Sequence, residues 1–248
     1  MQRFFAEPGS IDLINQRIRL TGSDVNHIRN VLRMKNGEEL WVSDGDKKEY
    51  HCVIRSSDQE EIVLDILYAQ EPDYELPCSI WLFQCLPKSD KMELIIQKAV
   101  ELGAAGIVPV SSKRCVVSLD EKRAAKKRDR WQQIAEGAAK QSRRMKIPEV
   151  MPVTSFRQAL LMASDMDVVL IPYEMASGMQ ETRQILRGIA PGNRVAVFIG
   201  PEGGFDKEEV LEAVKAGAHT ITLGRRILRT ETAGMTVLSI LMYLLEQD

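Results

Sequence analysis

Two glycine-bearing turns late in the chain, each directly after an apolar β-branched run, constrain the fold most. The first, residues 200–204 (GPEGG), follows the run 195–199 (VAVFI), and the second begins at Gly224 after the run 221–223 (ITL). Strand, glycine turn and helix in succession are typical of an open α/β sheet, which binds ligands where its strands end. The sequence therefore predicts an α/β domain with a ligand site built late in the chain.

No comparable turn follows the first strand of that domain. The predicted strand 79–86 runs into Pro87-Lys88-Ser89-Asp90, which contains no glycine. A dinucleotide-binding Rossmann unit needs GxGxxG at this place, and the common S-adenosylmethionine methyltransferase fold also expects an early glycine-rich turn. A GxxxxGK[ST] phosphate loop is absent as well. These absences argue strongly against the usual nucleotide folds.

The pattern of predicted strands and helices changes near a polar linker, residues 68–77. This change predicts two domains with bounds 1–72 and 73–248. The first is β-rich, with one helix over 23–34, and fits a small barrel; the second alternates strand and helix and implies a mostly parallel sheet. Its first helix, 90–102, carries Asp90 and Glu93 at capping-box positions and Gly103 as a stop signal. The predicted strands of the second domain are 79–86, 106–110, 168–172, 194–199 and 219–223. Its other predicted helices are 120–143, 155–163, 178–188, 206–216 and 232–246.

Charge is unevenly distributed along the chain, although the net charge is only −2. Residues 113–146 hold twelve Lys and Arg against four Asp and Glu. A run of this kind is either a solvated helix face or a surface that contacts phosphates, and charge alone favours neither.

Metal, membrane and secretory functions find no support in the composition. The four cysteines form no CxxC pair, the three histidines are scattered, and no metal-ligand cluster emerges. The longest apolar run, 237–245, is too short to span a bilayer, and the first residues do not resemble a signal peptide. We expect a reduced, cytoplasmic protein without a metal and without membrane attachment.

The two turns have their own chemistry. Glycines allow close backbone approach, so residues 200–204 can present amides and carbonyls to the edge of an uncharged purine; a plain strand-to-helix connection is the alternative. In the second turn, Arg225, Arg226 and Arg229 place three positive charges close together, which is unfavourable unless an anion binds there.

The pair IGPEGGF and LGRRILRTETA (199–205 and 223–233) resembles the signature of the RsmE family, the 16S rRNA uridine-N3 methyltransferases of the SPOUT class. The segments 27–38 (HIRNVLRMKNGE), 88–103 (KSDKMELIIQKAVELG) and 138–144 (AAKQSRR) are also similar to family segments. The resemblance implies a C-terminal α/β knot methyltransferase domain with a deep trefoil knot, and an N-terminal PUA-like RNA-binding β-barrel. It further implies a homodimer that acts on 16S rRNA in the small ribosomal subunit.

By the same resemblance, S-adenosylmethionine binds in the knot. The residues implied for it are Leu170, Pro172, Gly200, Pro201, Glu202, Gly203, Leu223, Gly224, Ile227, Leu228 and Thr230. Methyl transfer to uridine N3 is an in-line displacement that must also release a weakly acidic proton. Arg229 is our candidate to orient the uracil or stabilise its negative charge, and Glu202 and Glu231 are candidate proton acceptors. An ion pair at a helix terminus is the alternative role for Arg229 and Glu231.

Two surfaces are expected to bind RNA, one near the N-terminus and one in the basic segment. The residues expected to contact RNA are Arg3, His27, Arg29, Arg33, Arg114, Arg143 and Arg144. Phe4 and Phe5 lie beside Arg3, and we expect at least one of them in the barrel core.

Two other functions compete with this one. A SPOUT ribose 2′-O-methyltransferase ranks second, because such enzymes resemble one another in an early Asn-and-Arg motif, whereas Asn193 is the only asparagine after residue 36. A non-catalytic RNA-binding assembly factor is the third, and the intact glycine turns and Arg229 argue against it.

Overall fold

A computed structural model describes residues 1–176 and 178–246, and the chain divides into two units. The first comprises Met1–Glu75 together with Ala139–Ile147, and the second comprises Leu76–Ala138 and the residues from Pro148 onward. The bounds 1–72 and 73–248 for two functional domains stay a prediction. Among the described residues, no helix is long and apolar enough to cross a membrane.

The first unit is built on a six-stranded sheet with the order β1-β4-β5-β6-β3-β2. Its strands are β1 (Arg3–Phe5), β2 (Ile11–Asp12), β3 (Arg17–Thr21), β4 (Glu39–Ser43), β5 (Glu49–Ser57) and β6 (Glu61–Gln70). All pairs are antiparallel except β1 with β4. Alternate residues of the long strands, such as Leu40, Val42 and Ile54, are fully buried, because one face of the sheet forms the core. Phe4 is in this core, as expected for one of the two phenylalanines.

The single helix predicted over 23–34 differs from the observed structure. An α-helical turn, α1 (Ser23–Asn26), continues into a wider π-helical turn over His27–Val31. The Leu32 amide donates to the His27 carbonyl, five residues back, at 2.9 Å. The wider turn breaks the 3.6-residue period, so Ile28 is buried while Val31, three residues further on, is 61% exposed.

The second unit is an α/β sheet in which every pairing is parallel, with the order β10-β8-β7-β12-β11-β13 and with β9 also beside β8. Its strands are β7 (Ser79–Cys85), β8 (Gly106–Ser111), β9 (Glu149–Val150), β10 (Thr154–Ser155), β11 (Val168–Pro172), β12 (Arg194–Ile199) and β13 (His219–Ile221). Its helices are α2 (Lys91–Glu101), α3 (Glu121–Gln141, whose last three residues belong to the first unit), α4 (Phe156–Ala163), α5 (Met179–Arg187), α6 (Lys207–Lys215) and α7 (Thr230–Leu245). The predicted α/β architecture is confirmed.

The interior strands read as continuous apolar runs because helices cover both faces of a parallel sheet. Phe83 on β7 stacks on Phe198 on β12 with ring centroids 4.4 Å apart, and Phe156 meets Phe198 edge-on. This core holds β7, β12 and β11 side by side with their carboxyl ends at one edge, which is where the two glycine turns begin.

The capping box predicted at Asp90 and Glu93 is wrong. Asp90 precedes α2 but its side chain caps no backbone amide. Glu93 pairs instead with Arg130, its Oε1 lying 2.6 Å from Arg130 Nε. A guanidinium that offers a charge-assisted contact competes successfully for the Glu93 carboxylate.

Candidate active site

A cavity of about 510 Å³ opens at the carboxyl edge of β11, β12 and β13. Segments 172–174, 199–202, 204–205 and 222–230 line it, together with Lys91 and Ala233. Ligand pockets of small molecules usually have volumes of about 300–1,000 Å³. The cavity therefore lies where an open parallel sheet binds its ligand and has the right size for one.

The first glycine turn is shaped by crowding. A Cβ on Gly200 would lie 3.2 Å from the backbone nitrogen of Phe205, so a larger residue would displace the turn. Gly204 has φ +65°, in the left-handed region that glycine adopts at little cost. The turn runs into α6, where Asp206 and Glu209 form a complete capping box. The predicted start of this helix near Asp206 is confirmed.

A neighbouring segment braces this turn. Arg114 donates from Nη1 to the Gly203 carbonyl at 3.1 Å and from Nη2 to Asp206 Oδ2 at 3.3 Å. The Lys113 amide donates to Glu209 Oε1 at 2.8 Å. Arg114, predicted to contact RNA phosphates, therefore spends part of its hydrogen-bonding capacity on holding the turn.

The second turn spans residues 222–229 and needs a glycine for its backbone. Gly224 has φ +112°, a conformation that L-residues with side chains rarely adopt. The chain then passes the exposed Arg225, Arg226 and Ile227 and enters α7, with Arg229 as its N-cap residue. The predicted helix N-terminus at Arg229 to Glu231 is confirmed.

A buried hydrogen-bond chain joins the two turns. Gln84 on β7, fully buried, donates from Nε2 to Thr230 Oγ1 at 2.9 Å. The Thr230 hydroxyl donates in turn to the Gly200 carbonyl at 2.6 Å. The first residue of α7 is thus fixed to the start of the first turn, and both depend on β7.

Lys91 is a site residue that sequence reasoning missed. Its Nζ lies 3.3 Å from Glu202 Oε1 and 3.3 Å from Glu231 Oε2, so one cation links the first turn to α7. Burial by itself would raise the pKa of Glu202, but hydrogen bonds from the Lys88 amide (3.0 Å) and from Lys91 outweigh it and hold that pKa below its ordinary value. Lys91 is the first residue of α2, directly after the turn 87–90 that lacks glycine, and the KSDK run was its only sequence signal.

Nine of the eleven residues predicted for the cofactor line the cavity. They are Pro172, Gly200, Pro201, Glu202, Leu223, Gly224, Ile227, Leu228 and Thr230. Of the other two, Leu170 is fully buried in the interior of β11, and Gly203 lies outside the lining against Arg114. Arg229 also lines the cavity, whereas Glu231 does not and reaches it only through Lys91.

Two of the residues predicted to contact RNA, Arg3 and Arg144, are largely buried, which differs from the exposed position expected of an RNA contact. Arg3 is 9% exposed, and its Nη1 lies 2.5 Å from Glu49 Oε2. Its guanidinium lies over the ring of Tyr74. Arg144 is 5% exposed and grips Glu75 through Nε and Nη2 at 2.6–2.9 Å. Both guanidiniums face carboxylates within the first unit, and their role in RNA binding stays a prediction.

The remaining predicted RNA contacts stay on the surface. Arg33, Arg143 and His27 are exposed, and Arg29 is half-buried. Arg33 and Arg143 each adopt positive φ, at 57° and 62°. Their role in RNA binding stays a prediction. Within residues 1–176 and 178–246, no group of three His, Cys, Asp or Glu side chains could hold a metal ion.

Comparison with known proteins defines the class. An RNA methyltransferase domain model matches residues 74–242, and an RNA methyltransferase PUA domain model matches residues 20–67. Together with the parallel sheet and its cavity, these matches make the protein an RNA methyltransferase with an N-terminal PUA domain.

Individual relatives are more specific. The ribosomal RNA small subunit methyltransferase E of Bacillus subtilis is 38% identical, with 98% of this chain and 96% of that protein covered. The corresponding protein of Mesomycoplasma hyopneumoniae is 35% identical over 89% of this chain and 91% of its own length. A crystal structure of ribosomal RNA small subunit methyltransferase E from Neisseria gonorrhoeae bound to S-adenosyl methionine matches with a TM-score of 0.85, 34% identity and 98% coverage of both chains.

The chain belongs to the ribosomal RNA small subunit methyltransferase E family, the RsmE family that its two motifs resemble. The predictions of an rRNA methyltransferase, of an α/β catalytic domain and of a PUA-like domain are confirmed. The trefoil knot stays a prediction.

Proposed function

We propose that this protein transfers the methyl group of S-adenosylmethionine to N3 of one specific uridine of 16S rRNA in the small ribosomal subunit. The observation that carries the proposal is the cavity at the sheet edge, where two glycine turns meet and Arg229 stands in the wall. The gonococcal relative, whose structure holds S-adenosyl methionine, supports the choice of cofactor.

The residues present fit this cofactor. A purine without a phosphate requires backbone groups and apolar walls rather than a phosphate-cradling loop, and the glycine turns with Leu223 and Leu228 supply both. A Cβ on Gly200 would meet the backbone of Phe205, so glycine at this position keeps the first turn compact beside the cavity. When bound, S-adenosylmethionine would supply an activated methyl group, and the nine lining residues predicted for it would hold it.

Arg229 is assigned to the uracil. Its side chain is exposed at the cavity wall and has no ion-pair partner among the described residues, so it is available to a ligand. Loss of the N3 proton leaves negative charge on the uracil ring, and a guanidinium stabilises that charge while orienting the ring. Alignment of the nitrogen with the methyl group supplies much of the remaining rate.

Glu202 and Glu231 are assigned to positioning and not to proton transfer. The lowered pKa of Glu202 keeps it ionised, and an acceptor of such low basicity takes a proton from a weakly acidic nitrogen poorly. Glu231 shares Lys91 with it. The ion pairs support a role in fixing the first turn against α7, and the proton then leaves to water.

The homodimer is part of the same proposal. Leu94 on α2 and Tyr243 and Leu244 on α7 are 44%, 81% and 40% exposed, and such apolar side chains are suited to a subunit interface. A cytoplasmic location follows from the proposed substrate. Sedimentation analysis of the purified protein should give twice the mass of the chain, and a single-chain mass would remove the dimer from the proposal.

Mass spectrometry of nucleosides from 16S rRNA tests the reaction. Cells lacking the protein should lose one uridine methylated on the base at N3, and the wild-type gene should restore it. A missing ribose methyl group would instead identify a 2′-O-methyltransferase. If no methyl group is missing and calorimetry detects no binding of S-adenosylmethionine, the protein is an assembly factor and the proposal fails.

A further inference from the structure

We propose that Arg225 and Arg226 form a phosphate-binding pair that grips the rRNA backbone at the mouth of the cofactor cavity. The inference rests on the proposed function, since it supplies the RNA contact of the same site. It places the principal phosphate contact on the second turn, whereas the basic segment 113–146 is one of the two surfaces that the sequence predicts to bind RNA.

Placement is the first observation. Arg225 and Arg226 follow Gly224, line the cavity, and are exposed. Neither guanidinium has a hydrogen-bond or ion-pair partner anywhere in the part of the chain that the structure describes. Gly224, directly before the two arginines, has φ +112°, a conformation that few other residues could adopt there.

Uncompensated charge is the second observation. The cavity is lined by four basic side chains and two acidic ones, Glu174 and Glu202. Lys91, the fourth cation, is occupied by Glu202 and Glu231. Three arginines within five residues therefore face a single remaining carboxylate, an arrangement that is unfavourable by itself and becomes favourable when an anion binds.

The basic segment 113–146 behaves differently. Eight of its twelve basic side chains lie within ion-pair distance of a carboxylate in the same unit, namely Lys113, Arg114, Arg123, Arg128, Arg130, Lys140, Arg144 and Lys146. Each such pair reduces the positive field that RNA would meet. The segment holds more positive charges than the second turn, but a smaller fraction of them is unpaired.

The chemistry of the pair selects its ligand. A guanidinium presents a planar fork of donors that matches two phosphate oxygens, and RNA offers one phosphate per nucleotide. Arg229, four residues beyond Arg225, is assigned to the uracil. A phosphate held by Arg225 and Arg226 would therefore belong to the target nucleotide or its neighbour. The cofactor carboxylate is the competing anion, and the experiment must distinguish the two.

The test compares two double variants of the full-length protein. R225A/R226A removes the proposed pair, and R183A/R187A removes two exposed arginines from α5, which do not line the cavity. Equilibrium binding to a 16S rRNA transcript is measured from low to physiological salt, and binding of S-adenosylmethionine is measured by calorimetry. A third variant, R225K/R226K, keeps both positive charges but lacks the planar donor groups of the two guanidiniums.

We expect R225A/R226A to bind RNA about tenfold more weakly and to reduce the slope of log affinity against log salt by about 1 to 2. The lysine variant should recover the slope but only part of the affinity, and R183A/R187A should match wild type. S-adenosylmethionine affinity should not change. Wild-type RNA affinity in R225A/R226A, an equal loss in R183A/R187A, or a loss confined to S-adenosylmethionine would each overturn the proposal. If wild type binds RNA in this way but methylates nothing, the proposed function fails while the phosphate site stands.

Discussion

The two arginine-rich regions of this protein use the same side chain for opposite purposes. In the segment 113–146, five of the six guanidiniums face carboxylates of their own unit, as Arg144 faces Glu75 and Arg130 faces Glu93. On the second turn, Arg225, Arg226 and Arg229 face the cavity without a partner among the described residues. Pairing, and not the number of charges, separates cations that hold the fold from cations that await a ligand.

Removing an unpaired arginine should affect chemistry and leave the fold unchanged. Arg229→Ala is expected to lower kcat by about 100- to 1,000-fold, because the stabilisation of charge on the uracil is lost. The melting temperature and the oligomeric state should match wild type. Methyl transfer to rRNA is measured with labelled S-adenosylmethionine, with Arg183→Ala as the control, and wild-type turnover by Arg229→Ala would exclude this arginine from the mechanism.

Removing a paired arginine should do the reverse. Arg144→Ala leaves the Glu75 carboxylate without its main partner, and we expect a loss of about 2 kcal/mol in the free energy of unfolding. This is below the roughly 3–5 kcal/mol of fully buried pairs because the Glu75 side chain is 26% exposed. Denaturant titration checks the value. Arg123→Ala, which breaks an exposed pair with Asp120, should cost less than about 1 kcal/mol, and equal losses would contradict the distinction.

A single substitution at Gly224 should strain the second turn, which carries the unpaired arginines, without removing any of them. In Gly224→Ala, the side chain is forced into φ +112°, and we expect S-adenosylmethionine affinity to fall about tenfold, or about 1.4 kcal/mol. Calorimetry measures this loss. Gly217→Ala is the matched control, since Gly217 has φ +94° but does not line the cavity, and its affinity should stay at the wild-type value. A similar loss in both variants would mean that general strain, not the turn, weakens binding.

The smallest expected effect concerns Glu202, which forms an ion pair with Lys91 at the cavity. Because the pKa of Glu202 is lowered below 4.5 in the fold, its contacts stabilise the native state fully above that pH and are lost as pH falls through the folded pKa. The small stability difference between wild type and Glu202→Gln should therefore be constant from about pH 6 to 8 and disappear in acid. Thermal unfolding at several pH values measures it. A shifted pH profile of methylation in Glu202→Gln would restore Glu202 as a proton acceptor.

Much of the fold could be read from the sequence because its signals are local. The long strands and the α-helices of the second unit were predicted within a few residues, as β11 and β12 show. Two-residue strands such as β9 and β10 were missed, since so short a run carries no period of its own. The π-helical turn at His27 was missed for a related reason, because five residues are too few to show a period different from that of an α-helix.

The parts of the site that depend on backbone conformation could be predicted from the sequence. The parts that depend on ion pairs between residues distant in the chain could not. Glycines at 200 and 224 marked both turns, because their conformation or crowding excludes other residues. Lys91 was not predictable, since only the fold brings it to Glu202 and Glu231. For the same reason, the burial of Arg3 against Glu49 and of Arg144 against Glu75 could not be inferred from the residues beside them in the sequence.

The hydrogen bonds through Thr230 have a consequence for the order of assembly. Gln84 and Thr230 are 146 positions apart in the chain, and Gly200 lies 30 positions before Thr230. Closing loops of this length costs chain entropy before the contacts repay it, so we expect the cavity to form late in folding. A partly synthesised or partly folded chain would lack it until α7 had docked, and binding of the methyl donor would therefore report completion of the native state.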